Sequence, residues 1–155
     1  MSFLLGRFLE FSSVGLICSI LVHILALFGR KPPFGYLAFL LQFGAVASGI
    51  GAAFAVVLLL SSKGENFWRA AYRACPKWMK WMTYFLIGYA IFNTIVFLNR
   101  IGHREGLQPN QIMALVFRGI SGEWMAFYSA ALLIFSSAVR EMKQYTQTSE
   151  SHIRP

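Results

Sequence analysis

The chain has 155 residues, of which 57% are hydrophobic and only 13% are charged, whereas a soluble domain carries roughly a quarter charged residues. This composition excludes an ordinary soluble domain and leaves a membrane protein. The net charge of +8 suits anionic lipid headgroups, and no arginine-rich tract or zinc-ligand spacing favours nucleic acid.

Four apolar stretches are each long enough to cross a hydrocarbon core, which takes about 20 helical residues. They cover approximately residues 11–28, 36–60, 78–98 and 122–139. Backbone groups in lipid must pair within the segment, so we predict helices rather than strands. The expected fold is all-α: a polytopic integral membrane protein with one four-transmembrane-helix bundle over residues 1–145 and a short polar tail over 146–155. The short link between the first two stretches predicts an antiparallel hairpin.

The second stretch carries the strongest packing pattern, because small residues recur four apart along several of its faces. Such spacing lets helix backbones approach closely, so that van der Waals contact holds the helices together in lipid. We expect packing within one bundle, and the alternative is a seam between copies of the chain. The predicted packing residues are Gly44, Ser48, Gly49, Gly51 and Ala52.

The segment before the third stretch is basic and aromatic, and it predicts an inner helix lying at the membrane surface. Its basic residues fall at i, i+4, i+8 and i+11, which is one helical face, and the pattern is broken at Cys75–Pro76. We interpret this face as a contact with headgroups, and the alternative is a docking surface for an acidic partner. The predicted membrane-surface residues are Arg69, Arg73, Lys77, Lys80, Trp78 and Trp81.

The sequence FRGISGEW, residues 117–124, places charge directly before the fourth apolar stretch. A short outer amphipathic helix beginning at Pro109 is expected to end near Gly119. Ser121 then suits the N-cap of the fourth helix, with Glu123 in its first turn. Arg118 is expected to pair with Glu123. The alternative to this structural interpretation is a binding site.

Several polar residues are predicted to meet in the outer half of the bundle, where they would face its interior or a cavity. The candidate ligand-binding residues are His23, Tyr89, Asn93, Arg118 and Glu123. The alternative is that they only form hydrogen bonds between helices. No catalytic residue, metal-ligand set or cofactor is identified, because the chain has no aspartate, one histidine within a span and no nucleophile motif.

Basic residues predict the orientation, since they are enriched on the cytoplasmic side of membrane proteins. Nine of the 14 fall on the side of the termini and second loop, which places both termini in the cytoplasm, and we expect a bacterial inner (plasma) membrane. The nine are Arg7, Lys63, Arg69, Arg73, Lys77, Lys80, Arg140, Lys143 and Arg154.

The absence of recognisable chemistry, the small-residue helix and the basic segment predict a non-catalytic accessory or interaction subunit of a membrane complex. Its expected partners are the lipid bilayer with anionic headgroups and a membrane protein or a second copy, but not nucleic acid. The alternative function is binding of a small molecule, such as haem, a quinone, a lipid or a transported solute, in the outer half of the bundle.

Overall fold

The computed structural model describes residues 2–30, 35–61, 75–102 and 108–153. Within those ranges the chain is helical, with no strand, and all four helices are long and apolar enough to cross a membrane. The prediction of four such helices is confirmed, and their length and composition indicate a membrane localisation. The helices are α1 (Ser2–Leu27), α2 (Gly35–Ser61), α3 (Lys77–Gly102) and α4 (Pro109–Ile153).

Helix α4 is the centre of the bundle, because it packs against each of the other three helices. Helices α1 and α2 also pack against each other, whereas α3 packs mainly on α4. Contacts between the start of α1 and the later turns of α4, and between the end of α1 and the middle of α4, make these two helices antiparallel. We call the end where α1 and α3 finish the upper end, and the end where they begin the lower end.

Tyr128 of α4 fills the centre of the core, in a notch that two glycines create. A Cβ atom at Gly15 on α1 would overlap the Tyr128 ring, and one at Gly44 on α2 would overlap its hydroxyl group. The hydroxyl donates a hydrogen bond to the backbone oxygen of Leu41, over 3.0 Å. One aromatic side chain therefore holds three helices together where both neighbours lack a side chain.

Most of the small residues predicted on α2 face a neighbouring helix. Ser48 is fully buried beside Ser12 of α1, Ala52 is buried in the lower core, and a Cβ atom at Gly51 would lie 3.1 Å from the Phe8 ring. Gly49 differs, because a Cβ atom there would meet no described atom within 4 Å. Gly49 lies about 100° around the helix from Ser48 and faces outward, so it makes no close contact within the described bundle, and its role in packing against another chain stays a prediction.

Helix α1 ends in a glycine cap at the upper end. Gly29 adopts a left-handed φ of 69°, and its N–H donates to the Ala26 oxygen while the N–H of Arg30 donates to the Leu25 oxygen. This Schellman arrangement satisfies carbonyl groups that would otherwise have no partner, and glycine adopts the required φ without strain. The helix therefore ends at this glycine.

Helix α4 continues without a break through the FRGISGEW segment. The predicted helix end at Gly119 and N-cap at Ser121 are wrong, since both residues lie inside a helix of 45 residues. The Ser121 hydroxyl donates to the Phe117 oxygen one turn earlier, a bond that requires a helical turn before Ser121 and therefore excludes it as an N-cap. At 1.5 Å per residue α4 is roughly 68 Å long, so it extends well beyond a hydrocarbon core of about 30 Å.

Helix α4 also takes in two segments that the sequence predicted as separate features. The outer amphipathic helix is the first part of α4 rather than a separate element, and residues predicted as a polar tail are helical up to Ile153.

The first backbone acceptor of α3 is the Pro76 oxygen, to which the Met79 N–H donates. The predicted inner surface helix lies mostly in residues 62–74, outside the described residues.

Candidate functional site

His23 of α1 is the centre of a buried polar network in the upper half of the bundle. Only 4% of the residue is exposed, yet both of its ring nitrogens have partners on other helices. Nδ1 lies 2.9 Å from the Ser121 hydroxyl of α4, and Nε2 lies 2.5 Å from the Tyr89 hydroxyl of α3. This histidine therefore joins three helices.

The hydrogen-bond directions follow from the single proton on the Ser121 hydroxyl. That proton is donated to the Phe117 oxygen over 2.5 Å, so the serine oxygen accepts from His23 Nδ1–H. The other nitrogen, Nε2, then accepts the hydroxyl proton of Tyr89. The tautomer with the proton on Nδ1 satisfies every group in the chain of bonds.

Asn93 and Arg118 form the second part of the network, directly beside the first. The Asn93 side-chain N–H₂ donates to the backbone oxygen of Arg118 over 2.6 Å, and the Arg118 Nε donates to the Asn93 side-chain oxygen over 3.2 Å. Asn93 is almost completely buried. This reciprocal pair joins α3 to α4 and fixes the direction in which the guanidinium leaves the helix.

Two glycines on α4 allow α3 to approach closely enough for these bonds. A Cβ atom at Gly122 would lie 2.7 Å from the Asn93 amide nitrogen, and one at Gly119 would lie 2.9 Å from the Phe97 ring. Gly119 is therefore a contact position within a helix rather than the end of one. The sequence interpretation missed this role, and it also assigned Ser121 to a cap instead of the network.

The structure brings together four of the five candidate residues, and Glu123 is the exception. Glu123 is exposed and does not pair with Arg118, although both residues are described. Residues five apart lie roughly 140° apart around a helix, so the predicted ion pair is wrong. Among the described residues, the one polar contact of Glu123 is the Thr94 hydroxyl, which donates to it over 3.4 Å.

Glu123 instead lies in an apolar groove along the face of α4 that α1 does not cover. On one side, α3 and α4 line a pocket of about 450 Å³, and on the other, α2 and α4 line one of about 300 Å³. Glu123 and Phe127 line both pockets, so the two lie side by side on the face of α4 between α2 and α3. We call this feature the α2–α3 groove, and outward-facing Gly49 and Ile50 belong to its α2 wall.

The depth of Glu123 follows from its neighbour on α3. Thr94 lies eight residues before the end of α3 at Gly102, which corresponds to about 12 Å of helix. The carboxylate therefore lies two turns below the upper end, among side chains that are almost all apolar. In a bilayer this depth would be inside the hydrocarbon region, where a carboxylate is unfavourable without a partner.

The predicted membrane-surface residues lie near the lower end, as far as they are described. Trp78 and Trp81 at the start of α3 are 64% and 74% exposed, and Lys77 is exposed beside them. Arg69 and Arg73 are outside the described residues. Contact of these residues with headgroups stays a prediction.

The described residues contain no group of three or more histidine, cysteine or acidic side chains placed to hold a metal ion. Comparison of the chain with protein families, with characterised proteins and with solved structures gives no match.

Proposed function

We propose that this protein is a non-catalytic subunit of a membrane complex, and that its α2–α3 groove binds a transmembrane helix of a partner protein. The observation that carries this proposal is the exposed carboxylate of Glu123 on the floor of an apolar groove. Polar groups within membrane segments usually pair with one another. Glu123 has only the long bond from Thr94, so it lacks a charge partner within the described chain.

A partner side chain would relieve an unfavourable arrangement. Insertion scales put an acidic residue at the centre of a membrane helix at about 2.5–3.5 kcal/mol. Glu123 lies nearer the upper end, where the cost is smaller, and one hydroxyl bond at 3.4 Å offsets only part of it. A lysine, arginine or histidine on the partner helix would supply the opposite charge or a hydrogen-bond donor. The apolar walls and small residues such as Gly49 and Ala45 would accommodate the rest of the helix.

Charge favours a different protein over a second copy of this chain. In a twofold-symmetric pair the same surface meets itself, so two Glu123 carboxylates would approach each other in an apolar environment. The basic residue nearest in sequence is Arg118, and it is already bonded to Asn93 on another face of α4. The proposed occupant is therefore a membrane helix with a lysine, arginine or histidine at the depth of Glu123.

The proposed orientation keeps both termini in the cytoplasm of a bacterial inner membrane. Among the described basic residues, more lie at the lower end than at the upper end. The positive-inside rule assigns the more basic side, here the lower end, to the cytoplasm. The lower-end residues are Arg7, Lys77, Lys80, Arg140 and Lys143. Glu123 would then lie in the half of the membrane facing away from the cytoplasm.

Binding of a small molecule within the network has less support than partner binding. Both nitrogens of His23 are bonded within the bundle, and so are the amide of Asn93 and the Nε of Arg118. A ligand there would have to break bonds that hold α1, α3 and α4 together. These contacts favour a role of the network in packing.

Site-specific photo-cross-linking in native membranes tests the proposal. A photoreactive residue replaces Ile50, which is 67% exposed in the groove, and a matched control replaces Val14, which is 60% exposed on α1. We expect one membrane protein to be cross-linked in high yield from position 50 and not from position 14. The cross-linked peptide should come from a membrane-spanning segment that carries a basic residue. Cross-links to lipid alone, formed in equal yield from positions 50 and 14, would contradict the proposal.

A further inference from the structure

A second pocket lies at the upper end of the bundle, separate from the α2–α3 groove. It has a volume of about 450 Å³ and lies between the glycine-capped end of α1, the last turns of α3 and the first turns of α4. Two arginines line it, Arg100 from α3 and Arg118 from α4, together with the Gln111 amide. Leu27 and Leu115 contribute apolar wall. Among the described residues that line it, none carries a carboxylate.

The two guanidinium groups have unused donors. The Nε of Arg118 is bonded to Asn93, but its two terminal nitrogens have no acceptor within the described part of the chain. Arg100 likewise has no acceptor among the described residues. Because Asn93 holds one edge of the Arg118 guanidinium, the opposite edge is directed away from the network and is already oriented for an incoming anion.

The ordinary explanation for a basic residue at this end accounts for Arg100 but not for Arg118. Arg100 lies in the last turn of α3, where a cation interacts favourably with the negative end of the helix dipole. Arg118 lies nine residues inside α4, far from any helix end of its own. Its placement in the same concave pocket as a second arginine points to a bound anion.

We propose that this upper pocket binds a phosphate group, carried either by an anionic phospholipid headgroup or by a soluble molecule. Guanidinium groups match the oxygens of a phosphate through paired N–H donors, and the Gln111 amide adds a further donor. The leucine wall favours an ester with apolar substituents over bare phosphate. A site at the level of the helix ends is where headgroups of a surrounding bilayer would lie.

Binding to detergent-purified protein tests this proposal and separates the two sources. The probes are phosphatidylglycerol, phosphatidylcholine and inorganic phosphate, measured by native mass spectrometry for the lipids and by the shift in melting temperature for phosphate. The test variant is Arg100→Gln, which leaves the buried network intact. The matched control is Arg30→Gln, since Arg30 is exposed at the same end but does not line the pocket.

We expect Arg100→Gln to weaken retention of phosphatidylglycerol by roughly tenfold or more, the scale of a lost charged hydrogen bond, while Arg30→Gln changes it little. Arg100→Lys should lose part of the affinity, because it keeps the charge without the forked donors. If inorganic phosphate stabilises the wild type but not Arg100→Gln, while both lipids are retained alike, the same site takes a soluble phosphate. Equal behaviour of the Arg100 and Arg30 variants with every probe would overturn the proposal.

Discussion

A methyl group added at Gly44 would test whether Tyr128 locks three helices together. An alanine Cβ atom there would overlap the Tyr128 hydroxyl and lie 3.1 Å from Cζ of Phe11. The ring cannot retreat freely, because it also fills the notch at Gly15, and moving it would break the bond to the Leu41 oxygen. Overpacking costs about 1–3 kcal/mol and a lost interhelical bond about 0.6 kcal/mol, whereas alanine recovers about 0.5–1 kcal/mol of helix propensity. We expect Gly44→Ala to lower the free energy of unfolding by about 2 kcal/mol.

The assay is unfolding by sodium dodecyl sulfate in mixed micelles, followed by circular dichroism. Gly49→Ala is the matched control, because it adds the same methyl group on the same helix where no described atom lies within 4 Å. It should leave the transition unchanged or raise its midpoint by an amount equivalent to at most about 1 kcal/mol. Gly44→Ala should lower the midpoint.

A double-mutant cycle identifies the atom responsible. At Gly44 the nearest atom is the Tyr128 hydroxyl oxygen, whereas at Gly15 the nearest atoms belong to the ring. Tyr128→Phe should therefore relieve most of the penalty at Gly44 and little of it at Gly15. Equal penalties at Gly44 and Gly49, or a Gly44 penalty that Tyr128→Phe leaves unchanged, would refute this account of the core.

Three further predictions concern the network, the lower end and the close helix contact. Tyr89→Phe removes the hydroxyl donor to His23 Nε2 and should lower stability by about 1 kcal/mol in the same titration; no change would show that this bond contributes nothing. Burial raises the pKa of the Cys75 thiol by more than the nearby cations lower it. In a variant with Cys18 replaced by alanine, maleimide labelling of the folded protein should therefore need a higher pH than labelling of an ordinary thiol. Rapid labelling at neutral pH would argue against that burial. Gly119→Ala should destabilise by about 1–2 kcal/mol because its Cβ atom would lie 2.9 Å from the Phe97 ring, and Phe97→Leu should recover part of this loss if α3 and α4 pack as described.

The sequence was sufficient to predict the number of helices and the approximate limits of two of them. Hydropathy and segment length depend only on the order of residues along the chain, not on how the helices pack. The second and third predicted stretches, 36–60 and 78–98, accordingly agree closely with Gly35–Ser61 and Lys77–Gly102. The limits of α4 were not predictable in the same way. Its polar residues interrupt the hydropathy without interrupting the helix, and Gly119 is required for contact with α3 rather than for a turn.

The rotation of each helix about its axis was the part that the sequence could not provide. The position of each residue along its span was enough to predict that His23, Tyr89 and Asn93 lie at a similar depth in the bundle. Their proximity in the structure agrees with that prediction. Small residues cover most of the circumference of α2, so the pattern could not show that Gly49 faces outward. The separation of Arg118 from Glu123, in contrast, was contained in their spacing of five residues once both lie on one helix. Ligand binding by these residues stays a prediction.

The most direct test of the proposed function is a charge exchange at Glu123. With the photoreactive residue at position 50, Glu123→Lys should reduce the cross-link to the partner helix at least tenfold, because it places like charges together in an apolar groove. Changing the basic residue of the partner helix at that depth to glutamate should restore the cross-link. Glu10→Lys, which alters an exposed carboxylate paired with Arg7 at the lower end, should have no effect. A cross-link that persists in Glu123→Lys, or that the reciprocal change does not restore, would contradict the account.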